Sequence, residues 1–212
     1  MAHKTIRVVL FDVDGVLLDS FEANLEFFRN LLTYAGYRPL TREEYAEIHH
    51  YSMWDVIREM TGLTSESEIR RIFEIGKKRE VPYPLDLLKV PEDAKHAIET
   101  LGNDYLLGIV TSRIRNSVFE APRLAELESH FTVTVAYEDT ENHKPSPDPL
   151  LHAMKSLWVS PEETVYIGDA VTDVEAARAA GMKVILYSPT DRFGADTFVS
   201  TFLELPEAIA SL

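Results

Sequence analysis

With 212 residues, 45% of them hydrophobic, the chain can hold a sizeable core as one domain with an insertion or as two small domains, and it is too apolar to be a disordered protein. Its 35 acidic residues against 21 basic ones give a formal charge of −14, which argues against a nucleic-acid binder because no excess of basic residues is available to neutralise phosphates. There is no cysteine, so disulfide and thiolate chemistry are excluded.

Ile6–Phe11 (IRVVLF) is a short, β-branched apolar run that reads as a strand buried on both faces. It is too short for the apolar region of a leader, and no later stretch approaches membrane-spanning length, so a soluble, cytoplasmic protein is expected. Asp19 with Glu22 fits a helix start, and Phe21, Leu25, Phe28, Leu32 and Ala35 follow at helical spacing up to Gly36. Thr41 with Glu44 and Ser65 with Glu68 mark further helix starts, so residues 19 to about 80 read as helical throughout. The three prolines of VPYPLDLLKVP (81–91) then read as a return linker.

A helix from about Glu92 to Leu101 leads into YLLGIV (105–110), and helices then alternate with FTVTVA (131–136), TVYI (164–167) and KVILY (183–187). Alternating strands and helices predict an α/β fold, a Rossmann-like, mostly parallel sheet core. The expected division is a core of 1–16 and 88–212 with an inserted helical cap at 17–87. Ligands of such sheets bind beyond the carboxyl ends of the strands.

Those ends carry a coherent set of groups. Asp12 and Asp14 follow the first strand, Thr111, Ser112 and Arg113 the second, Lys144 lies in the loop after the third, and Gly168–Asp169 with Asp173 follow the fourth. Clustered carboxylates suit a hard divalent cation such as Mg²⁺. Asp12 can be both metal ligand and nucleophile, attacking phosphorus to give an aspartyl-phosphate. Asp14, one pleat further on, points the same way and can give and take protons. Thr111 can donate to a phosphoryl oxygen, and Lys144 can balance the negative charge.

Asp12-x-Asp14-Gly15, Thr111, Lys144-Pro145 and Gly168-Asp169-x-x-x-Asp173 resemble, in order, the four motifs of the haloacid dehalogenase superfamily. The resemblance covers essentially the whole chain and points to the phosphoglycolate-phosphatase-like branch with a helical cap. It implies Asp12 as nucleophile and Asp14 as acid/base. Thr111, Ser112 and Lys144 would be phosphate-binding, and Asp12, Asp169, Asp173 and the backbone carbonyl of Asp14 would form the Mg²⁺ site. The implied reaction is Mg²⁺-dependent hydrolysis of a small phosphorylated metabolite, with no nucleic-acid or membrane partner, by a monomer or homodimer.

Val16 stands where many members have threonine, which bears on substrate rather than chemistry. Asp14 argues against dehalogenation, since the dehalogenases lack it. Gly168 counts against the sugar-phosphate mutases, which usually carry Glu-Asp there. The lysine-free stretch 17–76 counts against the phosphonate hydrolases and their Schiff-base lysine. An inorganic pyrophosphatase and a mutase remain the alternatives within the superfamily. A phospho-aspartate receiver is the alternative outside it, disfavoured because receivers have no helical insertion. In the cap, His49, His50 and Trp54 of EIHHYSMWDVI are candidates to contact substrate, set against an ordinary amphipathic helix; Arg113 divides between a leaving-group contact and a solvated helix start.

Overall fold

The computed structural model describes residues 6–190 and 193–212; residues 1–5, part of the stretch read as lacking a leader, lie outside the described residues. The chain divides into two compact units, Met1–Asp19 with Val90–Leu212, and Ser20–Lys89.

The first unit is an α/β layer structure. Among the described residues its sheet has six parallel strands in the order β3-β2-β1-β4-β5-β6. They are β1 (Val8–Phe11), β2 (Leu106–Val110), β3 (Phe131–Val135), β4 (Thr164–Gly168), β5 (Lys183–Tyr187) and β6 (Thr197–Val199). β1 and β4 are buried along their whole length, as continuous apolar runs in a doubly covered sheet should be. Helices α5 (Ala94–Leu101), α6 (Pro122–Ala125), α7 (Asp148–Leu157), α8 (Val171–Ala179) and α9 (Leu205–Ala210) complete this unit. Leu150, Ala153 and Met154 of α7 and Val174, Ala176 and Ala177 of α8 pack with Val8, Leu10, Tyr166 and Val184 in one buried cluster.

Two expectations for this unit change. The segment between β2 and β3 holds only the four residues of α6 and short 3-10 turns rather than a full helix. β6 escaped notice because three residues show too little alternation to be read as a strand.

The second unit comprises α1 (Phe21–Tyr34), α2 (Arg42–Ile48), α3 (Met53–Thr61) and α4 (Glu66–Lys77). Its buried residues include Leu25, Phe28, Leu31 and Leu32 from α1, with Tyr45, Ile57, Ile72 and Phe73. The Thr41–Glu44 capping box forms as the spacing predicts. α1, however, starts after Ser20 rather than Asp19, and Ser65 makes no capping bond with its side chain. His49–Ser52 also interrupts the stretch read as one helix: Ser52 accepts from the Asp55 amide and begins α3. The helix signal ran on because polar capping residues break a helix without breaking its apolar periodicity. No helix of the described residues is long and apolar enough to cross a membrane.

Candidate active site

The strand ends are held by ladder hydrogen bonds that continue one residue past the strands. Asp12 N donates to Ile167 O at 2.9 Å, and Thr111 N donates to Val135 O at 3.0 Å. Asp12 and Thr111 thus occupy fixed positions on adjacent strands β1 and β2, both of them buried. The chain then turns sharply, with Gly15 at φ +76°; a Cβ there would also collide with the Asp169 carboxylate. Gly168 answers a second steric need, because a Cβ at its position would strike the Asp173 side chain.

Asp12, Asp169 and Asp173 come together, each offering a carboxylate oxygen within 4.8 Å of the others. Lys144 reaches into this group with a side chain 5% exposed, its Nζ 3.0 Å from Asp12 Oδ2 and 2.7 Å from Asp173 Oδ1. Both Asp173 oxygens are therefore engaged, because Oδ2 accepts from the amides of Asp169 and Ala170 at 3.0 and 3.1 Å. Ala170, rather than Asp169, is the residue that caps α8. The Asp12 Oδ1 atom is buried with no hydrogen-bond partner among the described residues.

Burial removes water from these charges and makes each depend on its neighbours. It raises the Asp12 carboxyl to about 7, with Lys144 pulling it down and Asp173 and Asp14 pushing it up. Burial likewise holds Asp169 well above the carboxylate range, reinforced by Asp173 and Asp12. For Lys144 burial opposes the charge, but the attraction of Asp12 and Asp173 outweighs it and holds the ammonium well above its ordinary value.

Asp14 lies outside the acidic triad. Its Oδ1 accepts from Arg113 Nη1 at 2.9 Å. Arg113, expected either at a leaving group or in solvent, is buried. Thr111 Oγ1 accepts from the Arg113 amide at 3.2 Å, which leaves the hydroxyl hydrogen to be donated elsewhere. Ser112 beside it is half-buried.

The sequence reading missed Tyr166. This fully buried tyrosine on β4 accepts from Lys144 Nζ at 2.9 Å and donates to Val110 O, also at 2.9 Å, so its hydroxyl ties the lysine to the end of β2. A phenol inside an otherwise apolar strand (TVYIG) was the available signal, since a buried hydroxyl requires a partner.

His49, His50 and Trp54 belong to the helical unit. His49 is exposed, its Nδ1 2.9 Å from Ala46 O and its ring 6.0 Å from that of Phe21. The His50 ring lies edge-on to Tyr51 at 4.8 Å. Trp54 packs on Phe73 at 5.8 Å beneath the Arg70 guanidinium.

The sequence and the fold are similar to those of known proteins. Pyrophosphatase PpaX of Bacillus pumilus is 31% identical over 189 residues, which cover 86% of this chain and 83% of that protein. A Lactobacillus plantarum protein assigned as a phosphoglycolate phosphatase superposes with a TM-score of 0.84 at 25% identity, over 96% of this chain and 99% of its own. CbbY of Rhodobacter sphaeroides, solved in complex with phosphate, does so at 0.81 and 25% identity, over 98% of this chain and all of its own, 100%. The model of the haloacid dehalogenase-like hydrolases matches residues 9–187, from β1 to the end of β5 and so through every strand-end group described above. The chain belongs to the haloacid dehalogenase-like hydrolase family.

Proposed function

We propose that this hydrolase is a Mg²⁺-dependent phosphatase that cleaves a small phosphorylated metabolite, phosphoglycolate-like in size, through an aspartyl-phosphate on Asp12. The observation that carries the reading is the Asp12 carboxylate. Lys144 holds one oxygen, and the other is buried without a donor among the described residues. An oxygen withdrawn from water with nothing in return is costly unless a cation or an electrophile completes it.

The donor set fits Mg²⁺: carboxylate oxygens from Asp12, Asp169 and Asp173, the last of which also braces Lys144 and the 169–170 amides. The resemblance adds the backbone carbonyl of Asp14. When bound, the cation would draw charge from the phosphoryl oxygens and keep Asp12 ionised.

The chain's own groups do the rest. Asp12 forms a bond to phosphorus as the bond to the leaving oxygen breaks, and a proton on Asp14 passes to that oxygen. Water then bonds to phosphorus, the Asp12–phosphorus bond breaks, and the water proton returns to Asp14. Thr111 donates its hydroxyl hydrogen to a phosphoryl oxygen with Ser112 beside it, and Lys144 balances the charge. The helical domain expected at 17–87 corresponds to the unit Ser20–Lys89, distinct from the core expected at 1–16 and 88–212, and the metabolite reaches the core without nucleic acid or membrane as partner.

Inorganic pyrophosphate is the second reading, favoured by the 31% identity to pyrophosphatase PpaX. A panel containing phosphoglycolate, sugar phosphates and pyrophosphate, assayed for phosphate release with Mg²⁺, separates the two. Crystals grown with beryllium fluoride test the acceptor. The mimic is expected on Asp12, and finding it on another side chain would overturn the mechanism.

A further inference from the structure

Arg113 is an unusual residue to bury, and it is fixed at several points. Its side chain is 6% exposed whereas that of its partner Asp14 is 32% exposed. Its Nη1 donates to Asp14 Oδ1 at 2.9 Å, and its Nε reaches Ser117 Oγ at 3.4 Å. Ser117 is itself held, donating to Ile114 O at 2.9 Å. The backbone is equally constrained, since the Arg113 amide donates to Thr111 Oγ1 at 3.2 Å and its carbonyl accepts from Tyr137 N at 2.8 Å. The guanidinium therefore carries the rigidity of the β2 strand end to Asp14.

Asp14 needs such a support. It sits at the start of a tight turn, next to Gly15 at φ +76°, and its carboxyl is one-third open to water. A group that gives a proton to one oxygen and takes it back from another must stay within about 2.6–3.2 Å of both in turn. A misplacement of about 1 Å can cost about 10²-fold in rate.

We propose that Arg113 is a positioning residue for Asp14: it acts through that carboxyl group, fixing where the proton is delivered and collected, and does not itself touch the substrate. The inference rests on the acid–base role proposed above for Asp14. It also assigns the Thr111-Ser112-Arg113 segment a double task, with Thr111 serving the phosphoryl group and Arg113 the proton carrier.

The test uses Arg113→Met and Arg113→Lys in the full chain with Mg²⁺, on nitrophenyl phosphate and on an alkyl phosphate, after thermal melts have shown both variants folded. A nitrophenolate leaves without needing a proton, so the first step survives on that substrate while the second slows. Arg113→Met should give a burst of about one equivalent of nitrophenolate followed by slow turnover, and should lose roughly 10²-fold in kcat/KM on the alkyl ester. Arg113→Lys should restore part of both. Adding Arg113→Met to Asp14→Asn should cost nothing further, because Arg113 acts only through that carboxyl group. Equal losses on both substrates without a burst, full additivity with Asp14→Asn, or wild-type kinetics in Arg113→Met would overturn the inference. If Asp14→Asn by itself retained wild-type kinetics, the acid–base reading would fall, and the inference with it.

Discussion

Asp12 and Asp14 lie two residues apart at the end of one strand, yet they inhabit different electrostatic regions. Asp12 belongs to a buried corner with Lys144, Asp169, Asp173 and Tyr166, where burial raises the Asp12 and Asp169 carboxyls and the lysine, near Asp12 and Asp173, opposes it. Asp14 belongs to a rim, one-third exposed and paired with an arginine. The same side chain is thus fitted to different tasks according to what surrounds it. The buried corner suits binding and attack, since its charges are fixed and starved of water, and the rim suits proton traffic.

The largest effect should come from removing the centre of the buried corner. Asp12→Asn is expected to abolish phosphoenzyme formation and phosphate release in single-turnover assays, whatever the leaving group. Asp14→Asn should instead lose about 10²–10⁴-fold, with nitrophenyl phosphate the least affected. Similar losses in the two variants on every substrate would erase the proposed division between corner and rim.

Lys144→Met tests how much of that corner depends on one cation. It leaves Asp12 and Asp173 buried without their ammonium, and breaking such a pair costs about 3–5 kcal/mol, which denaturant titration of the metal-free protein would register. Arg113→Met should destabilise less, because the Asp14 carboxylate it leaves behind is 32% exposed and is solvated by water.

The corner also predicts a dependence on pH. Burial raises Asp12 from 3.8 to about 7 and Asp169 in the same direction, so between about pH 4 and pH 7 the folded, metal-free protein holds protons that the unfolded chain has released. Stability contributed by these groups is therefore present at low pH and lost as pH rises through that window. Mg²⁺ must displace the protons, so its apparent affinity should strengthen from pH 6 to pH 8, and calorimetry in buffers of different ionisation enthalpy should record proton release. An affinity independent of pH would contradict the buried state of these acids.

Tyr166→Phe is the finest probe. It deletes the hydroxyl that joins Lys144 to Val110 O and should cost about 1–3 kcal/mol, because a buried carbonyl is left without its donor. If activity falls further than this loss of stability explains, the tyrosine positions the lysine as well as filling the core.

The sequence by itself determined the strands β1 to β5 of the sheet and the position of each strand-end group along the chain. KVILY matches β5 residue for residue, and Asp12, Thr111 and Asp169 follow strands that were legible as short apolar runs. A fully buried strand leaves that mark because both its faces must be apolar. It also marked the helical insertion between β1 and β2, although not its break at His49–Ser52, which polar capping residues impose without disturbing the apolar spacing. Only the tertiary structure decided the pairings: Lys144 with Asp12 and Asp173, Tyr166 with Lys144, and Arg113 with Asp14 across 99 residues of chain. The physical reason is that a charged side chain looks the same in sequence whether water or protein surrounds it. In sequence Arg113 divides equally between a leaving-group contact and a solvated helix start, and only the folded chain buries it and brings Asp173 beside Asp12 and Asp169. Burial and partner, not residue type, set what a charge can do, and both are properties of the folded chain.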